Sequence, residues 1–241
     1  MKKLLYLLLI LTQAAIAQTG FERGNELYRQ GKYPEAIAAY EDILSNQMES
    51  AEVYFNLGNA HFKMNRVAPA IYNYEKALLL KPGDDDIITN LKFARKMTVD
   101  ESGTQRESES IFGVLNYEIW GWLAISFSCL LVLCFAGYYL TSKVILKRAG
   151  FGGMAVATVL MITCLIAAFS VRSTLNEERP AIVFSATASV KSEPVTGSAE
   201  AFALHEGTKV YVLENLDNWK KIELSGNREG WIEASAIKEL K

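Results

Sequence analysis

Residues that carry chemistry are scarce in this chain. Of its 241 residues two are histidine and three are cysteine. His61 and His205 each lack a second histidine, a cysteine or a motif-spaced carboxylate, so neither builds a metal site or an acid–base or nucleophilic centre. His61 is read as a packed helix residue and His205 as a solvated turn residue. Cys129, Cys134 and Cys164 all lie inside long apolar runs, which excludes a disulfide framework or a thiolate centre in the polar segments. Glycine loops of the phosphate-cradling kind are missing, because Gly150, Gly152 and Gly153 border an apolar run. The net charge is −2 and no basic run exceeds two residues, so the electrostatic footprint of a nucleic-acid binder is absent. The expectation is no catalytic residue, no cofactor, no metal and no enzymatic activity.

What the chain has in plenty is apolar sequence, 50% of it, gathered into blocks at 4–17, 119–141 and 149–171. The first block follows Lys2 and Lys3 and ends at Ala15-Ile16-Ala17, the layout of a signal peptide over 1–17 with the mature chain starting at Gln18. A retained N-terminal anchor is the rival reading. The blocks 119–141 and 149–171 hold no ionisable residue and are long enough to span a bilayer. Trp120 and Trp122 stand at one end of the first and Tyr138 and Tyr139 at the other, where amphipathic rings anchor. A buried core helix is the competing reading of each. The loop 142–148 carries Lys143, Lys147 and Arg148 and no acid, so the positive-inside rule makes it cytoplasmic and puts both flanking segments on the opposite side. Neither span offers a carrier for ions or protons.

The segment RGNELYRQGK at 23–32 returns 34 positions later as LGNAHFKMNR at 57–66. Gly24 matches Gly58, Asn25 matches Asn59, Tyr28 matches Phe62, Ala36 matches Ala70 and Tyr40 matches Tyr74. A 34-residue period of paired amphipathic helices is the mark of tetratricopeptide repeats. The second unit resembles that family through Tyr54, Leu57-Gly58, Ala70, Tyr74, Ala77 and Pro82, and departs from it at His61. Units are expected over 20–50 and 51–83, with a capping helix at 84–97, inside a repeat domain spanning 18–97. Small residues at Gly58 and Ala70 let the two helices of a unit cross closely. Gly31 and Asn65 suit a positive φ between helices, and Pro34 and Pro69 suit a first helical turn. Asp84–Asp86 favour a helix N-terminus, and Lys92, in place of the small Gly58, excludes a further packed helix. So short an array is expected to need support from self-association or a partner.

The tetratricopeptide resemblance implies a peptide or partner helix held along the first helix of each unit. That face carries Asn25, Tyr28, Phe55, Asn56, Asn59, Phe62, Asn90 and Phe93. Asparagines can meet a partner's backbone amides and the aromatics add apolar area. The alternative is that the aromatics pack helices together and the asparagines make local contacts. Capture of a free C-terminal carboxylate is not carried over, because Phe21 and Asp86 occupy the places of the basic residues it needs.

Residues 98–118 and 172–180 read as polar linkers. Short alternating runs at 209–214 and 219–224, and a hairpin loop at 225–228, predict a small all-β module over 181–241. The stretches ASVKSEP, LHEGTKVYVLE, NWKKIEL and REGWIEASAIKEL resemble bacterial SH3-like domains, which implies a small barrel. Trp219 and Trp231 are the groove candidates, read as barrel core ahead of ligand platform. Some relatives bind cell-wall peptides, making peptidoglycan a rival partner. The fold class expected is a multi-domain membrane protein: all-α tetratricopeptide solenoid, two-helix transmembrane hairpin and C-terminal β-barrel. That order of parts resembles the BatE-type proteins of Bat aerotolerance operons. The resemblance implies a scaffold in the bacterial inner membrane, with repeats and SH3-like domain in the periplasm. Its implied partners are von Willebrand A-domain membrane proteins and a MoxR-type ATPase.

Overall fold

A computed structural model describes residues 19–100, 115–224 and 228–241. The expected signal peptide 1–17, most of the linker 98–118 and part of the 225–228 loop lie outside the described residues. Of the described residues, 19–100 together with Arg179–Lys241 form one compact unit, and 115–178 form a second.

The first unit begins with helices α1 (19–29), α2 (Tyr33–Ser45), α3 (Ala51–Lys63), α4 (Val67–Leu80) and α5 (Asp85–Arg95). Their limits follow from local chemistry. Gly31 and Asn65 take positive φ, 75° and 57°, in the turns before α2 and α4. Ser50 caps α3 by accepting from the Val53 amide at 3.1 Å. Asp84 caps α5 by accepting from the Asp86 and Ile87 amides at 3.1 and 3.2 Å. Each pair of helices closes over a glycine. A Cβ on Gly24 would stand 2.4 Å from the Tyr40 ring, and one on Gly58 2.7 Å from the Tyr74 ring and 3.3 Å from the Ala70 carbonyl oxygen. The small residues therefore make room for a tyrosine of the second helix as well as for its backbone.

The strands are β1 (Pro180–Val183), β2 (Thr187–Lys191), β3 (Glu200–His205), β4 (Lys209–Leu216), β5 (Trp219–Leu224), β6 (Arg228–Glu233) and β7 (Ile237–Glu239). They form one antiparallel sheet in the order β3-β2-β6-β5-β4-β1-β7. Its two ends, β3 and β7, are not paired with each other, so the sheet is open. Val183, Val190, Val210, Ile222, Leu224 and Ile232 fill its core.

The helices and the sheet share a second core. β1 is buried along its whole length. Ala181 and Val183 face the sheet's interior, while Ile182 joins Leu240 in the cluster built on Val67, Ile71 and Tyr74. Tyr72 meets Phe184 edge-on at 5.7 Å between ring centroids, and the Lys238 ammonium sits 4.3 Å from the centre of the Tyr72 ring. Gly207, at φ 84°, turns between β3 and β4 where a Cβ would stand 2.7 Å from Thr98 and 3.0 Å from Ile71. Three polar links close the contact. The buried Glu75 carboxylate accepts from Lys209 at 2.8 Å and from Arg95. The Tyr72 hydroxyl donates to the Glu239 carbonyl at 3.3 Å. Asp100 accepts from the His205 amide and the Thr208 hydroxyl, both at 2.7 Å, and meets His205 Nδ1 at 3.0 Å. His205 thus ends β3 and holds Asp100, instead of standing solvated in a turn.

The second unit is a hairpin of α6 (Tyr117–Leu140) and α7 (Val144–Glu177). α7 runs 34 residues, through most of the expected loop 142–148 and most of the expected linker 172–180. Neither stretch contains proline or glycine before Pro180, so nothing stops the helix once the apolar segment has formed it. α6 and α7 approach closely at Gly150 and Gly153, where added Cβ atoms would stand 3.2 Å from the Cys134 carbonyl oxygen and 2.9 Å from its Sγ. Ala124, Ala157, Cys164 and Ala167 are buried, while Val132, Leu133, Val159 and Phe169 face outward. By length and composition both helices are able to cross a membrane.

Candidate functional site

The candidate face on α1, α3 and α5 is built around two copies of one polar junction. Tyr40 on α2 donates its hydroxyl to Asn25 Oδ1 at 2.7 Å, and Asn56 donates Nδ2 to the same oxygen at 2.8 Å. Thirty-four residues on, Tyr74 donates to Asn59 Oδ1 and Asn90 donates to it as well, both at 2.8 Å. Each junction therefore ties a second helix to the first helices of two successive units. Burial pushes the Tyr40 phenol up to about 12, and burial raises Tyr74 further, so both hydroxyls stay protonated donors.

The four asparagines, expected to offer donor and acceptor to a partner, each commit one of the two to the fold. Asn25 and Asn59 spend Oδ1 inside the fold and keep Nδ2; Asn56 and Asn90 spend Nδ2 and keep Oδ1. All four are half-buried. Two amide nitrogens and two amide oxygens of the four side chains have no part in these junctions. The aromatic candidates divide. Phe55 lies 6.0 Å from the Tyr74 ring and Tyr28 5.3 Å from the Tyr33 ring, between packing and surface. Phe62 packs against the shared core. Phe93 is 54% exposed, with Lys96 5.4 Å from its ring centre. Phe21 packs 6.2 Å from Tyr40 and Asp86 is exposed in the first turn of α5, so neither supplies the cation of a carboxylate clamp. The links through Tyr72, Asp100 and Glu75 end away from this face.

Tyr40 and Tyr74 were legible as repeat residues but not as parts of this face. Their signal was the shared 34-residue offset of tyrosine and asparagine. His61 is buried on α3, as expected of a packed residue, and its Nδ1 has no hydrogen-bond partner. Burial first, then the neighbouring Arg66 and Lys238 charges, depress it to about 4, so it stays neutral.

Trp219 and Trp231 correct the core reading. Both are half-buried and outside the sheet's interior cluster. Trp219 pairs with Glu233 and Lys221 with Trp231, so the two rings are diagonal neighbours on the face opposite Ile222 and Ile232. That the two share a face follows from the β5–β6 register, which alternation along either strand does not supply.

Residues 21–86 match the family model described as tetratricopeptide repeat. A 61-residue stretch is 34% identical to the Hsp70-Hsp90 organizing protein of Triticum aestivum, covering 25% of this chain and 10% of that protein. A 67-residue stretch is 31% identical to Hsp70-Hsp90 organizing protein 1 of Glycine max, covering 28% and 12%. The chain thus spans about a tenth of the length of these relatives. Its helical region is tetratricopeptide-like.

Proposed function

We propose that this chain is a non-enzymatic, membrane-anchored scaffold that grips an extended segment of a partner protein along α1, α3 and α5. One observation carries the reading: the twofold Tyr–Asn–Asn junction fixes four amides with their unused donors and acceptors on one face. Protein–protein interaction is also what tetratricopeptide repeats serve. The segment is read through its backbone, with no requirement for a free C-terminus, because Phe21 and Asp86 stand where clamp cations would be. The apolar hairpin anchors the scaffold, and its basic bend at Lys143, Lys147 and Arg148 favours the repeats and the SH3-like module on the periplasmic side of a bacterial inner membrane. The order of parts supports a place in a Bat-type stress or aerotolerance complex, with von Willebrand A-domain membrane proteins and a MoxR-type ATPase system as partners.

The test leaves the internal bonds of the tyrosines intact. Asn56→Ala and Asn90→Ala remove the outward acceptors while Tyr40 and Tyr74 keep Asn25 and Asn59. A photo-crosslinker at position 55 is expected to capture a defined partner protein in native membranes, and the double variant to lower that yield about tenfold, two lost hydrogen bonds' worth. Equal capture from the double variant, or none from the wild type, overturns the reading.

A second reading rests on the outward Trp219 and Trp231 pair, an aromatic platform on the sheet that suits cell-wall peptidoglycan. It predicts that the full chain sediments with purified sacculi and that the Trp219→Ala, Trp231→Ala variant does not.

A further inference from the structure

A groove opens on the hairpin unit. It measures about 710 Å³ and lies between the start of α6 and the end of α7, at the end of the hairpin away from the basic bend. Its α7 wall is Leu165, Phe169 and Arg172, spaced i, i+4, i+7 along one helical face; its α6 wall is Glu118 and Gly121. The rise from Leu165 to Arg172 makes it about 10 Å long at 1.5 Å per residue. The lower part is apolar. Gly121 opens it, since a Cβ there would meet nothing within 4 Å. The upper rim carries one charge of each sign. Arg172 rests over the Tyr117 ring at 5.9 Å, and among the described residues neither Arg172 nor Glu118 has an ion-pair partner.

We propose that this groove binds one zwitterionic phospholipid with a primary ammonium head, a phosphatidylethanolamine, in the non-cytoplasmic leaflet. The inference rests on the membrane-hairpin reading. Charge complementarity selects the occupant: the Arg172 guanidinium takes the phosphate, Glu118 takes the ammonium, and one acyl chain lies along Phe169 and Leu165 over Gly121. An anionic phosphatidylglycerol gives Glu118 nothing to pair with. A phosphatidylcholine head has no N–H to donate. At the edge of a bilayer, where unpaired charges are costly, pairing both signs with one headgroup satisfies them together.

The experiment uses the full chain in detergent, with mass spectrometry reading the lipid retained from equimolar phosphatidylethanolamine, phosphatidylglycerol and phosphatidylcholine. Phosphatidylethanolamine is expected to be retained about fivefold over the other two, the value of one interfacial ionic contact. Glu118→Gln is expected to erase the preference, and Arg172→Gln to lower retention of all three lipids, whose phosphate it would otherwise hold. Gly121→Leu fills the groove without touching a charge or a helix contact, and is expected to lose the lipid with helicity unchanged. Equal retention of the three lipids, or wild-type retention by Gly121→Leu, overturns the site. So does a photo-crosslinker at position 169 that captures a protein helix instead of lipid in native membranes. Alkaline extraction separates the premises: release of the chain from membranes overturns the hairpin reading itself, whereas an embedded chain without lipid preference overturns the groove alone.

Discussion

At the scale of single residues, His61 and Glu75 show opposite ways of placing a polar group inside a protein. His61 is buried neutral with Nδ1 unpaired, and its depressed value of about 4 lies below the ordinary 6.5. The unfolded chain therefore takes up a proton before the folded one as the pH falls, and stability is lost between about pH 6.5 and about pH 4. Asp100 acts in a lower window. Burial works to raise it, but the bonds from Thr208 and His205 outweigh burial and lower it, so its contribution disappears only below the usual carboxylate range. His61→Phe removes the unpaired ring nitrogen and is expected to flatten the upper window while raising stability by about 1 kcal/mol near neutral pH. Urea midpoints measured from pH 4 to pH 8 check it; an unchanged slope counts against the buried neutral imidazole. Glu75 is served by both Arg95 and Lys209. Glu75→Gln leaves two largely buried cations short of a counter-ion and is expected to cost about 3 kcal/mol, read as a lower thermal midpoint.

At the scale of elements, the helical repeats were the most legible part, because two independent periods, 3.6 and 34, pointed to one arrangement. The expected arrest after α5, read from Lys92 at the position where Gly58 admits a tyrosine ring, falls on residues that lie in part outside the described ones. Element ends were harder. Apolarity marks where a helix is favoured and says nothing of how far it continues, so α7 outran 149–171 at both ends through polar but breaker-free sequence. The glycine rule makes a sharp test at this scale. Gly24→Ala would ordinarily favour a helix by about 1 kcal/mol, yet its Cβ falls 2.4 Å from the Tyr40 ring. The ring has to leave, and with it the bond to Asn25. A net loss of about 2 kcal/mol is expected, with lowered partner capture from position 55; a stabilised variant with full capture would show that the junction does not organise the face.

At the scale of the molecule, the short array, expected to lean on self-association or a partner, packs against a core supplied within its own chain. The support comes from the chain's own C-terminal strands, with Ile182 and Leu240 against Val67 and Ile71. A hint was present in α4, VAPAIYNYEKALLL, which is apolar nearly all round and so asks for cover on more than one side. No periodicity names the residues that supply it, because contacts between segments a hundred residues apart leave no local pattern. The joint core also constrains topology. Residues before α6 and after α7 belong to one compact body, so any membrane crossed by the hairpin must be crossed an even number of times between them. A tag beside Thr98 and a reporter after Lys241 are therefore expected on the same side, and the positive-inside rule puts that side opposite Lys143, Lys147 and Arg148. Ile71→Glu provides the control. It places a charge in the shared core and is expected to loosen the sheet from α4, exposing 181–241 to protease while the hairpin keeps both labels together. Labels found on opposite faces of the membrane in the wild type would mean that α6 and α7 do not both cross, and would overturn the proposed hairpin anchor.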